Sequence, residues 1–136
     1  ERPADAIPDE GFQDVLEPFR VENLIVSDPS GAVLGAWRKV ETRVREFFKL
    51  ALPEEDRARI IRHQLFLLRR AGIISSAFEE SVLGLQKVRN EVAHGEAEVT
   101  SGSARTYVES AKTIEEILIR WIEAVAIARN LPEGKS

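Results

Sequence analysis

An arginine, an asparagine and a histidine lie close together in the chain at Arg89, Asn90 and His94, just before Gly95. A guanidinium can bind a phosphate through two parallel hydrogen bonds, and an amide can donate another. Histidine changes charge near neutral pH, so it can accept or donate a proton during a reaction. These residue types predict a site that binds a phosphate and transfers a proton.

Residues 76–93 contain no proline and repeat apolar side chains every three or four positions, which predicts a helix with a core-facing stripe. Arg89 falls near the middle of that stripe, where an unpaired charge would be costly. Arg89 therefore pairs with an acid of another helix, reaches solvent, or lines a groove that receives an anion. If it forms an internal ion pair, His94 is an ordinary cation at a helix end, where the helix dipole favours it.

The spacing of these residues also bears on assembly. Asn90 and His94 are four residues apart and are neighbours on one helix face. Arg89 and His94 lie roughly 140° apart around a regular helix. One ligand can contact Arg89 and His94 together only if the helix ends irregularly near Gly95, or if two such helices face each other. Gly95 suits the left-handed conformation that ends a helix. We therefore expect a homodimer.

The pattern Arg89-Asn90-x-x-x-His94 resembles the motif of the HEPN superfamily, the helical domains named for higher eukaryotes and prokaryotes nucleotide-binding. Leu85, Val88 and the following Ala93 also look like the family's helix ending. The resemblance covers about residues 30 to 130. It implies an all-α fold. Active members are metal-independent ribonucleases, often toxins or phage-defence effectors, while many others are helical interaction modules without activity.

For this chain the resemblance implies RNA cleavage by transesterification. His94 would act as base or acid, Arg89 would hold the phosphate, and Asn90 would donate to the phosphate or orient His94. One histidine cannot perform both proton transfers at once, so a second copy's histidine or water must contribute. The alternative is a non-catalytic HEPN-like module of a larger protein that binds RNA or a nucleotide. A helical adaptor unrelated to the family is a third reading.

Composition predicts one small domain. The 136 residues are 43% hydrophobic and 31% charged, which is enough apolar content for a single core. Without cysteine there is no disulfide or thiolate site, and the histidines lack zinc-ligand spacing, so we expect no metal and no cofactor. The net charge of −4 requires any nucleic-acid binding to be local.

No apolar run approaches the ~18 residues of a membrane span, and no signal peptide is visible. We expect a cytoplasmic location and no membrane contact within this chain. Because position 1 is Glu1 rather than methionine, we expect a processed chain or the cytosolic part of a larger protein. Expected partners are RNA, a second copy, and an antitoxin or regulatory protein.

Proline and glycine positions divide the chain into an arm, a bundle and a tail. Residues 1–29 form an irregular arm or linker, with one short amphipathic helix through Phe12, Val15, Leu16 and Phe19 and an extended run at residues 24–26. The bundle, residues 30–131, contains helices over residues 30–52, from Pro53 to Ala71, from Ser75 or Ser76 to Ala93, and from a Ser103 cap to Asn130. Residues 132–136 are a tail. Short connections predict an antiparallel four-helix bundle.

The last helix has a core-facing apolar seam with positions three and four apart: Ala104, Tyr107, Ala111, Ile114, Leu118, Trp121, Val125 and Ala128. It also carries isoleucines outside that seam, namely Ile117, Ile119, Ile122 and Ile127. So wide an apolar surface needs more than one neighbour. Either the N-terminal arm covers it or it forms the dimer interface, and we favour the interface.

A second candidate surface is a basic ridge on the predicted second helix. It contains no acid after Asp56 and presents five groups that can carry positive charge: Arg59, Arg62, His63, Arg69 and Arg70. Such a ridge can contact RNA phosphates without base specificity. The alternative is a solvated face whose charge is neutralised by Glu115, Glu116 or Glu123.

Overall fold

Five helices make up the regular structure of residues 9–130, the backbone that the computed structural model describes; side chains are described for residues 16–130. The helices are α1 (Asp9–Ser27), α2 (Pro29–Ala51), α3 (Ile61–Arg70), α4 (Ser76–Ala93) and α5 (Ser101–Arg129). No strand occurs in this range, so the all-α prediction is confirmed for it. None of these helices has the length and apolar character needed to span a membrane.

α1 corrects the prediction of an irregular arm. The expected extended run at residues 24–26 is wrong, because these residues belong to the last turns of α1. Ile25 is buried where α1 packs against α2, and Val21, one turn earlier, packs against the same core. Helical spacing puts both side chains on one face. The side chains of Phe12 and Val15, which the sequence assigns to a short amphipathic helix, are not among those described.

α2 is the central helix and packs against all four others, most extensively against α5. Its N-terminus is defined by Asp28, whose carboxylate accepts a hydrogen bond from the backbone N–H of Gly31 (3.0 Å), and by Pro29 in the first turn. The predicted helix over residues 30–52 is confirmed within one residue at each end. Its buried side chains supply much of the core, including Val33, Trp37, Val40, Val44, Phe47 and Phe48.

The predicted start of the second helix at Pro53 is wrong, since α3 begins only at Ile61. Residues 53–60 form turns that bring Ala58 into the core. The buried amide of Gln64 donates a hydrogen bond to the carbonyl oxygen of Ala58 (2.8 Å), which holds this segment against α3. Burial of Ala58 therefore overrides the helix-start signal of the proline and acids that precede it.

α4 begins and ends where the sequence predicts. The Ser75 hydroxyl accepts a hydrogen bond from the backbone N–H of Phe78 (3.0 Å) and caps the first turn. Gly72 and Gly95, which follow α3 and α4, have φ angles of 76° and 71°. Both glycines adopt the left-handed conformation that closes a helix, which the sequence predicts for Gly95.

α5 begins three residues earlier than predicted. Its cap is Thr100, and Ser103 lies in the first turn, where the two side chains exchange hydrogen bonds with each other's backbone N–H. Towards its C-terminal end α5 buries Ile122, while Ala128 of the predicted seam and Ile127 are exposed. α1 packs against α5 as well as α2, so the arm covers part of the α5 surface.

Candidate functional site

The end of α4 presents the three motif residues. Val92 is buried and anchors the last turn to the core. His94 follows the helix as its C-terminal cap, and its backbone N–H donates to the carbonyl oxygen of Asn90 (3.0 Å). The backbone N–H of Gly95 donates to the carbonyl oxygen of Val92 (3.1 Å). The motif is therefore held by a well-formed helix end.

Arg89 is half-buried and is bound by its neighbour in sequence. Its Nη1 donates a hydrogen bond to Oδ1 of Asn90 (3.1 Å). Among the side chains of residues 16–130, no carboxylate forms an ion pair with Arg89. The interpretation of Arg89 as half of an internal ion pair is therefore not supported in this range. Its charge is held in place by a neutral amide.

Tyr107 of α5 lies beside this arginine. The buried Tyr107 hydroxyl donates a hydrogen bond to the carbonyl oxygen of Leu85 (2.8 Å), one helical turn before Arg89. Burial raises the pKa of Tyr107 well above its ordinary value of 10, and the positive charge of Arg89 acts in the opposite direction. Tyr107 is thus a neutral donor that holds the α4 turn from which Arg89 projects.

Sequence reasoning placed Tyr107 only among the core residues of α5 and missed this relationship. The available signal was its chemistry: it is the only tyrosine of the chain, in a seam otherwise made of aliphatic residues and one tryptophan. A buried phenol needs a hydrogen-bond acceptor. Which backbone carbonyl accepts depends on how α5 packs against α4.

The side chain of His94 is not bonded to Arg89 or Asn90. Its side chain is exposed and forms no hydrogen bond or ion pair with the described residues. The structure therefore brings Arg89 and Asn90 together within one chain but leaves the imidazole of His94 open to solvent. A proton-transfer group in this position is available to a ligand or to a second copy of the chain.

The basic ridge is only partly neutralised. Arg69 forms an ion pair with Glu79 of α4 (2.6 Å), and its guanidinium lies over the ring of Phe66, 5.2 Å from the centroid. Arg62, His63 and Arg70 are exposed and form no ion pair within residues 16–130. His63 stacks on Phe66 with the ring centroids 6.5 Å apart.

Two details of the ridge differ from the prediction. Arg59 precedes α3 rather than lying on it, and its backbone carbonyl accepts a hydrogen bond from Arg45. The expected neutralisation by acids of α5 is wrong for the described side chains. Glu115 pairs instead with Arg43 of α2 (3.6 Å), and Glu116 and Glu123 form no ion pair there. The exposed arginines of the ridge have no carboxylate partner among the described side chains.

The two candidate surfaces lie on adjacent helices. α3 and α4 pack together and are joined by residues 71–75, so the ridge and the motif belong to one helical hairpin. No hydrogen bond between described residues links a ridge side chain to Arg89, Asn90 or His94. In the described range no three histidine, aspartate or glutamate residues are grouped so that they could hold a metal ion.

The chain matches no protein-family model, no curated protein and no solved structure.

Proposed function

We propose that this chain is a HEPN-like domain that binds RNA at the end of α4 and cleaves it without a metal ion. In this proposal α2 to α5 form the four-helix bundle and α1 packs on it. The observation that carries the proposal is the environment of Arg89, whose guanidinium is held by the neutral amide of Asn90 and by no carboxylate among the side chains of residues 16–130. A positioned cation without an internal counter-charge is suited to bind an anion.

The motif residues would divide the reaction between them. Arg89 binds the scissile phosphate and stabilises the charge that develops on it. Oδ1 of Asn90 already accepts from Arg89, so its amide NH₂ group is free to donate to a phosphate oxygen. His94 removes the proton of the ribose 2′-hydroxyl, whose oxygen attacks phosphorus. The bond to the 5′-oxygen breaks, and an acid protonates that oxygen.

A homodimer would complete the site. The imidazole of His94 forms no hydrogen bond with Arg89 in the single chain, and one imidazole cannot act as base and as acid at the same time. Two α4 ends facing each other would supply the second imidazole as the acid. Val88, next to Arg89 in sequence, is 39% exposed and places an apolar side chain beside the motif. The homodimer is proposed from the chemistry of the motif rather than from this side chain, because singly exposed apolar residues are common on protein surfaces.

The basic ridge would bind the RNA backbone away from the cleaved bond. Arg59, Arg62, His63 and Arg70 are exposed without ion pairs in the described range, in a chain whose net charge is −4. The segment from Arg57 to Arg70 contains no acid, so positive charge is concentrated there, as local phosphate contacts require. Arg69 would contribute less, because its charge is shared with Glu79.

The test is an RNA cleavage assay in the presence of EDTA. Wild type is expected to produce fragments with cyclic 2′,3′-phosphate ends, and His94→Ala is expected to produce none. The matched control is His63→Ala, which removes the only other histidine, also exposed, from the ridge and should retain cleavage. Cleavage that requires a metal, or a fully active His94→Ala, would contradict the proposed mechanism.

The second candidate function is a non-catalytic RNA-binding or interaction module of a larger protein. It is favoured by the lack of a hydrogen bond between the His94 imidazole and Arg89 in the single chain. In that case wild type and His94→Ala bind RNA equally and cleave none, while Arg89→Ala binds more weakly. For either function we propose a cytoplasmic protein, and for the nuclease a toxin or defence role with an antitoxin or regulatory protein that covers the α4 end.

A further inference from the structure

A cavity of about 690 Å³ lies between α1, α2 and α5. Its volume falls in the range of roughly 300–1,000 Å³ that is common for small-molecule sites. Its apolar walls include Val21, Leu24 and Ile25 of α1 and Val108 of α5. None of the motif residues or ridge residues lines it, so it is independent of the proposed RNA site.

Small residues on α2 and α5 leave this space open. Gly35 and Ala36 line the cavity from α2, and Ala111 lines it from α5. A methyl group added at Gly35 would meet no atom within 4 Å, so this position faces empty space. Glycine inside a helix is less favourable than alanine, and helix stability alone therefore does not account for Gly35.

A shallower recess opens from the cavity at Gly35. Its lining includes Arg38, Thr42 and Arg43 of α2 and Glu115 of α5, and it shares Gly35, Lys39 and Glu115 with the cavity. Gly35 therefore lies at the boundary between the apolar cavity and the charged recess. A ligand that occupies both must have an apolar body and a charged end.

The charged groups around the two spaces favour an anionic end. The cations are Arg20, Arg38, Lys39, Arg43, Arg105 and Lys112, and the carboxylates are Glu17, Glu22, Glu109 and Glu115. This lining is net positive, although the whole chain is net negative.

Most of the carboxylates are already occupied. Glu17 binds Lys39 (2.7 Å), which lowers the pKa of the Glu17 carboxyl, and Glu22 pairs with Arg105. Glu115 pairs with Arg43.

Arg38 and Lys112 are the cations best placed to receive an anion. Both are exposed, and their side chains form no hydrogen bond or ion pair with described residues. The Glu109 carboxylate also forms no ion pair with described residues, and it lies one helical turn from Lys112. Because this carboxylate would repel an anion near Lys112, Arg38 in the recess is the better anion receptor of the two.

From these features we infer that the cavity binds a fatty-acid-like ligand. Its unbranched apolar chain lies between α1 and the small residues of α2 and α5, and its carboxylate faces Arg38 in the recess. Burial of the chain would supply most of the affinity, and the cation would select the charge of the head group.

The probe is decanoate, titrated by calorimetry below the concentration at which it self-associates, with decanol and decylamine in parallel. Wild type is expected to bind decanoate more tightly than decylamine. Arg38→Met should weaken decanoate binding about three- to fivefold, the size expected for an exposed charge pair, and leave decanol binding unchanged.

The cavity itself is tested by filling it. Gly35→Leu should weaken decanoate binding at least about tenfold, because the new side chain occupies the space of the ligand. The matched control is Gly84→Leu on α4, where an added methyl group also meets no atom within 4 Å and which lies outside the cavity. It should bind as wild type does. If circular dichroism shows that Gly35→Leu does not fold, Ala36→Leu takes its place.

Three results would overturn the inference: no binding of decanoate to wild type, decylamine binding as tight as decanoate, or unchanged binding by the cavity-filling variant. The RNA assay separates this inference from the proposed function, since the cavity-filling variant should bind and cleave RNA as wild type does.

Discussion

The hydroxyl oxygen of Tyr107 lies 2.8 Å from the carbonyl oxygen of Leu85, so a buried side chain of α5 is bonded to the backbone of α4 one turn before Arg89. The same carbonyl accepts the backbone N–H of Arg89 in a regular helix. α5 therefore determines the position of the turn that carries the arginine, although it contributes none of the three motif residues.

Removing this hydroxyl should destabilise the fold modestly. We expect Tyr107→Phe to lower the free energy of unfolding by about 1 kcal/mol, since one hydrogen bond is lost while the Leu85 carbonyl keeps its helical donor. Urea denaturation at neutral pH measures the change. The control is Thr113→Val, whose exposed hydroxyl bonds only to the backbone of its own helix, at Glu109, and which should change stability by less than about 0.5 kcal/mol. Equal effects of the two substitutions would contradict the bridging role of Tyr107.

The same residue should make stability depend on alkaline pH. The pKa of Tyr107 is raised in the folded state by burial, so its contribution is complete below the unfolded value of 10 and is lost as pH rises above it. We expect wild type to lose more stability than Tyr107→Phe between pH 9 and pH 11, because other groups titrate equally in both proteins. Parallel losses in denaturation series at these pH values would show that the phenol ionises normally.

Arg89 and Arg69 offer a matched comparison on one hairpin. Arg89→Ala strands no carboxylate among the described residues, and we expect a change below about 1 kcal/mol. Arg69→Ala removes the partner of Glu79, whose side chain is only 14% exposed, and should cost more, about 1–3 kcal/mol. Thermal unfolding measures both. Added sulfate should raise the melting temperature of wild type and of Arg69→Ala more than that of Arg89→Ala, because only Arg89→Ala lacks the proposed anion site and sulfate also stabilises folded proteins in general.

The opposite order of stabilities, or a sulfate effect as large in Arg89→Ala as in wild type, would contradict an anion site at Arg89.

The closure of α4 can be tested with two glycines of the same region. Gly95 has a φ of 71°, a conformation that costs an alanine about 1–2 kcal/mol. Gly84 lies inside α4 with open space around it, and alanine there should stabilise by about 0.5–1 kcal/mol. Gly95→Ala should therefore lower and Gly84→Ala raise the melting temperature. If both shifts had the same sign, the left-handed end at Gly95 would be wrong.

A shared site at a dimer interface should show itself in mixtures. If cleavage needs His94 from both copies, unfolding and refolding equal amounts of wild type and His94→Ala together should reduce activity to about one quarter of that of wild type at the same total concentration. Mixing with Thr113→Val, whose substitution lies outside both the motif and the ridge, should leave activity unchanged. A fall to only one half would mean that each chain acts alone, and light scattering would then be expected to show a monomer.

Local signals in the sequence were sufficient for α2 and α4. Asp28 and Pro29 define the start of α2, and Ser75 and Gly95 bound α4, because caps, proline and left-handed glycine act within a few residues of themselves. The proximity of Arg89 and Asn90 is also local, since they are adjacent in the chain. Each of these features could be predicted without knowing which helices pack together.

Local signals failed where burial competed with them. Burial of Ile25 against α2 holds residues 24–26 in a helix, and burial of Ala58 draws residues 53–60 into turns against the core. Isoleucine and alanine also occur at exposed positions of this chain, so residue type alone does not identify Ile25 and Ala58 as buried. Their assignment depends on apolar area supplied by distant parts of the chain, which a local pattern does not contain.

The sequence by itself determined that an arginine, an amide and an imidazole lie near the end of a helix that closes at Gly95. Only the tertiary structure decided their surroundings: no described carboxylate reaches Arg89, the Glu115 that was expected to neutralise the ridge pairs with Arg43, and Tyr107 bonds beneath the motif. The reason is physical. Hydrogen bonds and charge interactions act over a few ångströms in space, and packing, rather than separation along the chain, decides which groups come within that distance.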